Sequence, residues 1–406
     1  MNYRESQYNI HFKHGDDNYI FNSLTSTLAL FEKEPMDYVK DDETLSELLE
    51  KGFLVENGLD EVNKLEKQIT KNINEIPKRV DITVVLTDDC NFRCVYCYQE
   101  RKTNFFSTND VDRLIVEIDG ILNKPIEGIL LHYFGGEPLL NYGILRRIDK
   151  ELKMLCETKG KEYISYITTN GSLLSREILK DIEFDCIQFT FDGDKNTHSL
   201  LKKARNSNYF SMLEMVDLAL ANCESRINIR FNVCLENKNS FYNVINDIVG
   251  LSSFSYERVR FSFSPLRDYR NEKRFTELTQ YDMSQVELSY KKMLIEKGVK
   301  QFLPRAIGQP CKFTVGNAFC IGAGLKTMFC TSNFDSNKND NMDGIYSEAR
   351  KYRFSLPNDC KKCSYAPLCL AGCRLLIPGD TACVTEKYTL IDQLRIYLDE
   401  PEMWVE

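Results

Sequence analysis

The sequence predicts an α/β protein built on a partial (β/α)6, TIM-like barrel, with a small N-terminal α+β domain and a Cys-rich C-terminal domain. Three observations carry this. From Asp81 to Pro265, short β-rich runs alternate with amphipathic helical runs, the pattern of βα units around a parallel sheet. The residues before Asp81 lack that alternation and end in a charged stretch, Asn63 to Arg79, that reads as a helix and linker. From Cys311 to Cys383, eight cysteines fall in a segment with little regular periodicity, which needs something other than apolar burial to hold its shape. The expected domains are residues 1–78, 79–305 and 306–406.

The candidate strands are Asp81 to Thr87, Gly128 to Phe134, Tyr163 to Thr169, Cys186 to Phe191, Ile227 to Cys234 and Arg258 to Ser264, all dense in Val, Ile, Phe and Tyr. Six strands are too few for a full eight-stranded barrel, so a curved, partly open one is expected. Between the first two, Val111, Leu114, Ile115, Ile118, Ile121 and Leu122 recur at helical spacing behind a Ser107/Thr108 cap. The core of the N-terminal domain is expected within Tyr19 to Leu54, and a further helix over Tyr281 to Glu296 leads to the cysteines.

Composition narrows the function classes. With 43% hydrophobic and 28% charged residues the chain is ordinary for a globular protein. A net charge of −8, with Lys and Arg interspersed among Glu and Asp, argues against a nucleic-acid partner. No apolar run approaches the roughly 18 residues that span a bilayer, and Met1 to Lys13 lacks the apolar stretch of a signal peptide. No membrane association and a cytoplasmic location are therefore expected. In that reducing compartment the 15 cysteines point to metal or redox chemistry rather than disulfides. Only four histidines, His11, His14, His132 and His198, speak against His-rich zinc catalysis.

The run Thr87-Asp88-Asp89-Cys90-Asn91-Phe92-Arg93-Cys94-Val95-Tyr96-Cys97 follows the first predicted strand. Its three thiols thus fall at a strand's C-terminal end, where βα barrels build active sites. Thiolates at this spacing can wrap three corners of a cubane iron-sulfur cluster and leave its fourth iron without a protein ligand. A zinc site completed by a distant residue is the alternative, although structural zinc sites normally pair two separate two-Cys knuckles.

This loop resembles the signature of radical S-adenosylmethionine (SAM) enzymes, and the resemblance extends past it. Gly135-Gly136-Glu137-Pro138, ending the second strand, is similar to the family segment that holds the amino group of SAM. Paired glycines suit close backbone approach to a ligand, and a carboxylate can pair with an ammonium. Thr169-Asn170-Gly171-Ser172 resembles the next SAM contact, which implies Asn170 and Ser172 near the ribose and carboxylate; Asn-Gly is also a common turn. Phe189-Thr190-Phe191-Asp192-Gly193 looks like the family's fourth-strand element, with His198-Ser199 in place of the usual His-Asp pair. Lys202 stands where relatives carry an Arg, keeping the charge for the SAM carboxylate without the bidentate fork. Asn232 is similar to a position beside the adenosine, and Tyr96 to an aromatic beside the adenine; both also read as ordinary core residues.

Cys360, Cys363, Cys369 and Cys373, followed by Cys383, resemble the SPASM domain, the C-terminal module of radical SAM enzymes that act on peptides and proteins. The resemblance implies a nearer auxiliary cluster on Cys311, Cys320, Cys330 and Cys373, and an outer one on Cys360, Cys363, Cys369 and Cys383. Three four-iron clusters are then expected, one SAM-cleaving and two auxiliary. A departure is the short Cys320 to Cys330 interval, with Leu325 where relatives have Gly. A zinc ribbon is the alternative for the downstream cysteines. Cys156, Cys186, Cys223 and Cys234 read as small buried apolar residues.

The resemblance implies a peptide maturase: an electron from the first cluster splits SAM, and a 5′-deoxyadenosyl radical takes a hydrogen from a ribosomally made precursor peptide, installing a thioether or another cross-link. An external donor such as flavodoxin or ferredoxin would supply the electron. The segment from Tyr19 to Leu54 looks like the small domain that precedes the catalytic core in such maturases and would hold the precursor's leader. Two other readings are an anaerobic sulfatase-maturing enzyme, in which an Asp rather than Thr331 would follow Cys330, and a zinc-stabilised binding protein without catalysis.

Overall fold

A computed structural model describes residues 2–99, 103–203, 209–313, 318–328, 330–331, 342, 353–373 and 383–405. The N-terminal region contains β1 (Tyr3–Glu5), β2 (Asn9–His14), β3 (Asp17–Asn22), β4 (Thr27–Phe31), α1 (Asp42–Glu50), β5 (Leu54–Glu56) and α2 (Glu61–Asn74). The βα core follows as β6 (Arg79–Val85), α3 (Thr108–Leu122), β7 (Gly128–Phe134), α4 (Tyr142–Lys159), β8 (Glu162–Thr169), α5 (Arg176–Asp181), β9 (Cys186–Phe191), α6 (Lys195–Lys202), α7 (Tyr209–Asn222), β10 (Arg226–Val233), α8 (Phe241–Val249) and β11 (Val259–Pro265). Then come α9 (Gln280–Glu296), β12 (Gln301–Phe302), β13 (Ala318–Gly322), β14 (Lys326–Met328), α10 (Glu386–Asp399) and β15 (Trp404–Val405).

All six predicted strands form, each pairing parallel with its neighbour in the order β11-β10-β9-β8-β7-β6. Their apolar faces and the helices over them make one large core, from Val80 and Ile82 through Phe189 and Phe231 to Val259. The first helix is capped as its sequence demands: Ser107 and Asp110 form a reciprocal capping box, and Val111, Leu114, Ile118, Ile121 and Leu122 are buried.

Two expectations need correction. The sheet has eight strands, because β13 returns from the Cys-rich region to pair parallel with β6, setting Cys320 opposite Thr83, and β14 pairs antiparallel with β13. All five residues of β13 are buried, so no alternation marked it as a strand. A boundary at 305/306 therefore cuts through the sheet rather than between domains.

Nor is residues 1–78 a self-contained unit. The buried face of α2, Leu65, Ile69 and Ile73, joins Tyr8 in a core completed by Phe354, Leu356, Cys360, Ala366 and Leu370. A second shared core joins Ile10, Phe12 and Phe21 to Leu368, Leu390 and Leu394, so the expected limits of Tyr19 to Leu54 are too narrow. Each such side chain is worth roughly 1.5–3 kcal/mol of burial. Hydrogen bonds lock the seam, with Leu356 N donating to Glu66 Oε1 at 2.7 Å and Phe354 N to Thr70 Oγ1 at 3.1 Å. Among the described residues no helix is long and apolar enough to cross a membrane.

Candidate active site

The chain leaves β6 into the cysteine loop, which is held from two sides. Gly136 N donates to Thr87 O at 2.8 Å and Glu137 N to Asp89 O at 2.9 Å, tying it to the end of β7. Val95 N donates to Leu201 O at 2.8 Å, tying it to the end of α6. The two glycines are needed for this packing: a Cβ on Gly135 would lie 2.5 Å from Thr87 O, and one on Gly136 would lie 2.1 Å from Asp89 O. Their first role is thus close approach to the loop that carries Cys90.

Cys90, Cys94 and Cys97 line a cavity of about 620 Å³ at the C-terminal ends of the strands, together with the predicted Tyr96, Gly135, Gly136, Asn170, Lys202 and Asn232. Cys311, Cys330 and Cys373 line the same cavity from the Cys-rich region, and Cys320 lies buried in β13 beside Cys330. The remaining predicted thiols, Cys360, Cys363, Cys369 and Cys383, line a separate small pocket, where Lys387 Nζ lies 3.2 Å from Cys383 Sγ. The structure thus gathers these eight thiols at two places.

Two predicted cofactor contacts do not line the cavity. Glu137 is fully buried, and its carboxylate accepts from Asn170 N at 2.8 Å, Thr169 Oγ1 at 2.8 Å and Leu139 N at 3.1 Å. Through these bonds it fixes the end of β8. Ser172 donates to Asn170 Oδ1 at 2.6 Å and accepts from Asn91 Nδ2 at 2.7 Å, so it orients Asn170 and the cysteine loop.

Asp192, at the end of β9, is a hub that the sequence analysis left without a role. It is fully buried and accepts from Tyr96 OH at 2.7 Å and Asn232 Nδ2 at 3.2 Å, with Lys202 Nζ at 3.7 Å. Burial alone would lower the Lys202 ammonium, but the neighbouring charges, Asp192 foremost, outweigh it and hold the group charged. Below this hub a belt of side chains crosses the inner face of the sheet. Its links are Thr83 to His132 (3.5 Å), His132 to Thr168 (2.8 Å), Thr168 to Gln188 (3.2 Å), Gln188 to Asn228 (2.8 Å) and Asn228 to Ser262 (3.2 Å). Burial keeps His132 neutral, with its ring stacked on Tyr166 at 3.9 Å.

The donor set of the loop fits an iron-sulfur cluster. Burial pushes the Cys94 thiol up to about 12 and raises Cys90, so these thiols would not ionise near neutral pH unless a metal displaced their protons. Among the described residues no three His, Cys, Asp or Glu side chains are set closely enough for a single ion. Zinc, with Zn–S bonds of about 2.3 Å, would draw its thiolates nearly into contact, whereas a cubane spaces them more widely.

Comparison with known proteins agrees with this geometry. Residues 84–248 match the family model of the Radical SAM superfamily, so the chain carries a radical SAM domain, the α/β fold that binds SAM and a four-iron cluster. Among curated proteins it is 27% identical over 256 residues to the radical SAM cyclopropyl synthase TigE of Paramaledivibacter caminithermalis, covering 57% of this chain and 52% of that one. It is 22% identical over 331 residues to a cysteine-type anaerobic sulfatase-maturating enzyme of Clostridium perfringens, covering 70% and 86%. The chain spans about half the length of the first of these relatives. In fold it is similar to SuiB of Streptococcus suis bound to precursor peptide SuiA, with TM-score 0.53 and 12% identity over 95% of this chain and 99% of that one. It is also similar to native anSMEcpe with bound AdoMet and Kp18Cys peptide, with TM-score 0.57 and 15% identity over 79% and 99%.

Proposed function

We propose that this chain is a radical SAM peptide maturase that takes a hydrogen from a ribosomally made precursor and installs a thioether or another cross-link. The observation that carries this reading is the cavity shared by two thiol sets, Cys90, Cys94 and Cys97 on one wall and Cys311, Cys330 and Cys373 on another. In this reading the first set holds the SAM-cleaving cluster, the second set with Cys320 holds an auxiliary cluster facing the substrate, and Cys360, Cys363, Cys369 and Cys383 hold an outer one. When bound, the first cluster supplies the electron that cleaves SAM, with flavodoxin or ferredoxin as the external donor.

The protein's own residues position and enclose. Asn170, Lys202 and Asn232 bind SAM, Asp192 and Glu137 keep them in place, and the wall formed by Tyr98, Tyr269 and Phe313 excludes water from the space beside it. The leader is read by the β2-β3-β4 sheet, where β4 pairs on one side only among the described residues and Leu30 is 53% exposed. Anaerobically reconstituted protein is expected to form 5′-deoxyadenosine from SAM with a low-potential reductant, and Cys94→Ala to form none; an undiminished rate in that variant would defeat the cluster assignment.

The match to the sulfatase-maturating enzyme over 86% of its length favours a second reading, oxidation of a Cys or Ser to formylglycine. Incubation with a Cys-containing sulfatase peptide separates the two, because formylglycine appears as a carbonyl that hydrazides capture, and a cross-link does not.

A further inference from the structure

The charged lining of the cavity is one-sided. Among the described residues Lys202, Arg230, Arg267 and Lys312 line it, and no Asp or Glu does. Three of these cations have a carboxylate behind the lining: Lys202 lies 3.7 Å from Asp192, Arg267 lies 2.9 Å from Glu277, and Lys312 pairs with Asp81. Arg230 differs. Its Nη2 donates to Ser264 Oγ at 2.7 Å and its Nε to Asn232 Oδ1 at 3.2 Å, both neutral acceptors, and among the described residues no carboxylate pairs with it.

Its place in the sheet sets it apart from the cluster end. Arg230 lies two residues before Asn232 on β10, one inward step deeper, opposite Thr190 of β9 and Ser262 of β11. Whereas the charge of Lys202 is balanced by Asp192, that of Arg230 acts on His132 and Tyr98, on the side where Cys320 lies. A guanidinium carries five N–H donors in a planar fork that matches a carboxylate. A half-buried one with only neutral partners is a cost to the fold that an anionic ligand would relieve.

We propose that Arg230 anchors the carboxylate of an acidic residue in the peptide, making the modified segment one that presents Asp or Glu to the inner cavity. This rests on the peptide-maturase reading and names its substrate class. SAM carries a carboxylate of its own, so the test separates the two sources.

The probes are acetyl-Gly-Glu-Gly-amide and acetyl-Gly-Gln-Gly-amide, each with a deuterated central side chain, added to the reconstituted full chain with SAM. Equilibrium dialysis is expected to show about tenfold or greater preference for the Glu probe, and deuterium is expected in 5′-deoxyadenosine from that probe. Arg230→Gln should abolish the preference and lower the labelled fraction, a ratio that is independent of total SAM turnover. Arg230→Lys should keep part of both, because it retains the charge without the fork. Equal binding of the two probes by the wild type, including binding of neither, or a preference that survives in Arg230→Gln, would overturn the proposal. So would an Arg230→Gln protein that loses about tenfold in SAM affinity and keeps its probe preference, since the anchored carboxylate would then be SAM's. Absence of 5′-deoxyadenosine from the wild type would instead sink the parent reading, whatever the probes do.

Discussion

Replacing Gly136 by Ala adds one carbon at the tightest contact of the active site. That carbon would lie 2.1 Å from Asp89 O, 2.5 Å from Asp89 C and 3.0 Å from the Cβ of Cys90. All of these belong to backbone or to the root of a side chain, so no flexible group can swing aside. Relief requires about 1 Å of movement between β7 and the loop bearing Cys90, against the bonds from Gly136 N to Thr87 O and Glu137 N to Asp89 O. Overpacking of this kind costs about 1–3 kcal/mol, and a misplacement of about 1 Å in a reacting constellation costs about a hundredfold in rate. Gly120 provides the control, since nothing lies within 4 Å of a Cβ there and it sits within α3. Gly120→Ala should leave activity unchanged and stabilise by about 0.5–1 kcal/mol. The assay pairs thermal midpoints with the rate of 5′-deoxyadenosine formation at matched iron content. A Gly136→Ala enzyme with the wild-type rate and midpoint would refute the claim that this glycine exists for loop packing.

Other predictions follow from buried polar groups and the shared cores. His198 is fully buried and pushed down to about 3 by burial and then by Lys202, so the folded state resists its protonation; the stability this confers is complete above the unfolded value of 6.5 and is lost as pH falls below it. Between pH 7.5 and 5.5 the loss should be about 1.4 kcal/mol in urea midpoints, and His198→Asn, which can still accept from Asp192 N, should flatten the profile by that amount. Glu137→Gln turns an amide toward one of three donors and should cost about 1.5–3 kcal/mol; a smaller loss in denaturant titrations would mean that the carboxylate is already protonated. Ile69→Ala should cost about 2–5 kcal/mol and raise hydrogen exchange both in α2 and around Cys360, two regions far apart in sequence that share its core; exchange confined to one of them would contradict the common core.

Much of the site was legible because its chemistry is local in sequence. Three thiols in eight residues, Gly135-Gly136 one strand later and Asn170 one strand after that all sit at strand ends, and the parallel sheet brings strand ends together. The orientation of carboxylates was not legible, since whether Glu137 faces ligand or backbone depends on Thr169 and Asn170 of the next strand. Asp192 was visible as part of a motif, but its links to Tyr96 and Lys202 cross from β9 to the cysteine loop and α6. Arg230 did carry a signal: in Ile229-Arg230-Phe231-Asn232 it alternates with buried apolar residues and shares the inward face with Asn232. The seam between the N-terminal region and the Cys-rich segment had no sequence signal, because the partners of Leu65 and Ile69 lie hundreds of residues away.

That seam also dictates the order in which the molecule can be made. Glu66 and Leu356 are 290 residues apart. At about 5–20 residues per second the ribosome needs roughly 15–60 s to bridge them. Throughout that interval Tyr8, Leu65 and Ile69 lack the surface of Phe354, Leu356 and Leu370 that completes their core, so the segment around α2 is among the last to complete its fold. A chain stalled or cleaved before residue 354 would lack Phe354, Leu356 and Leu370 and leave the apolar face of α2 exposed for chaperones and proteases to clear.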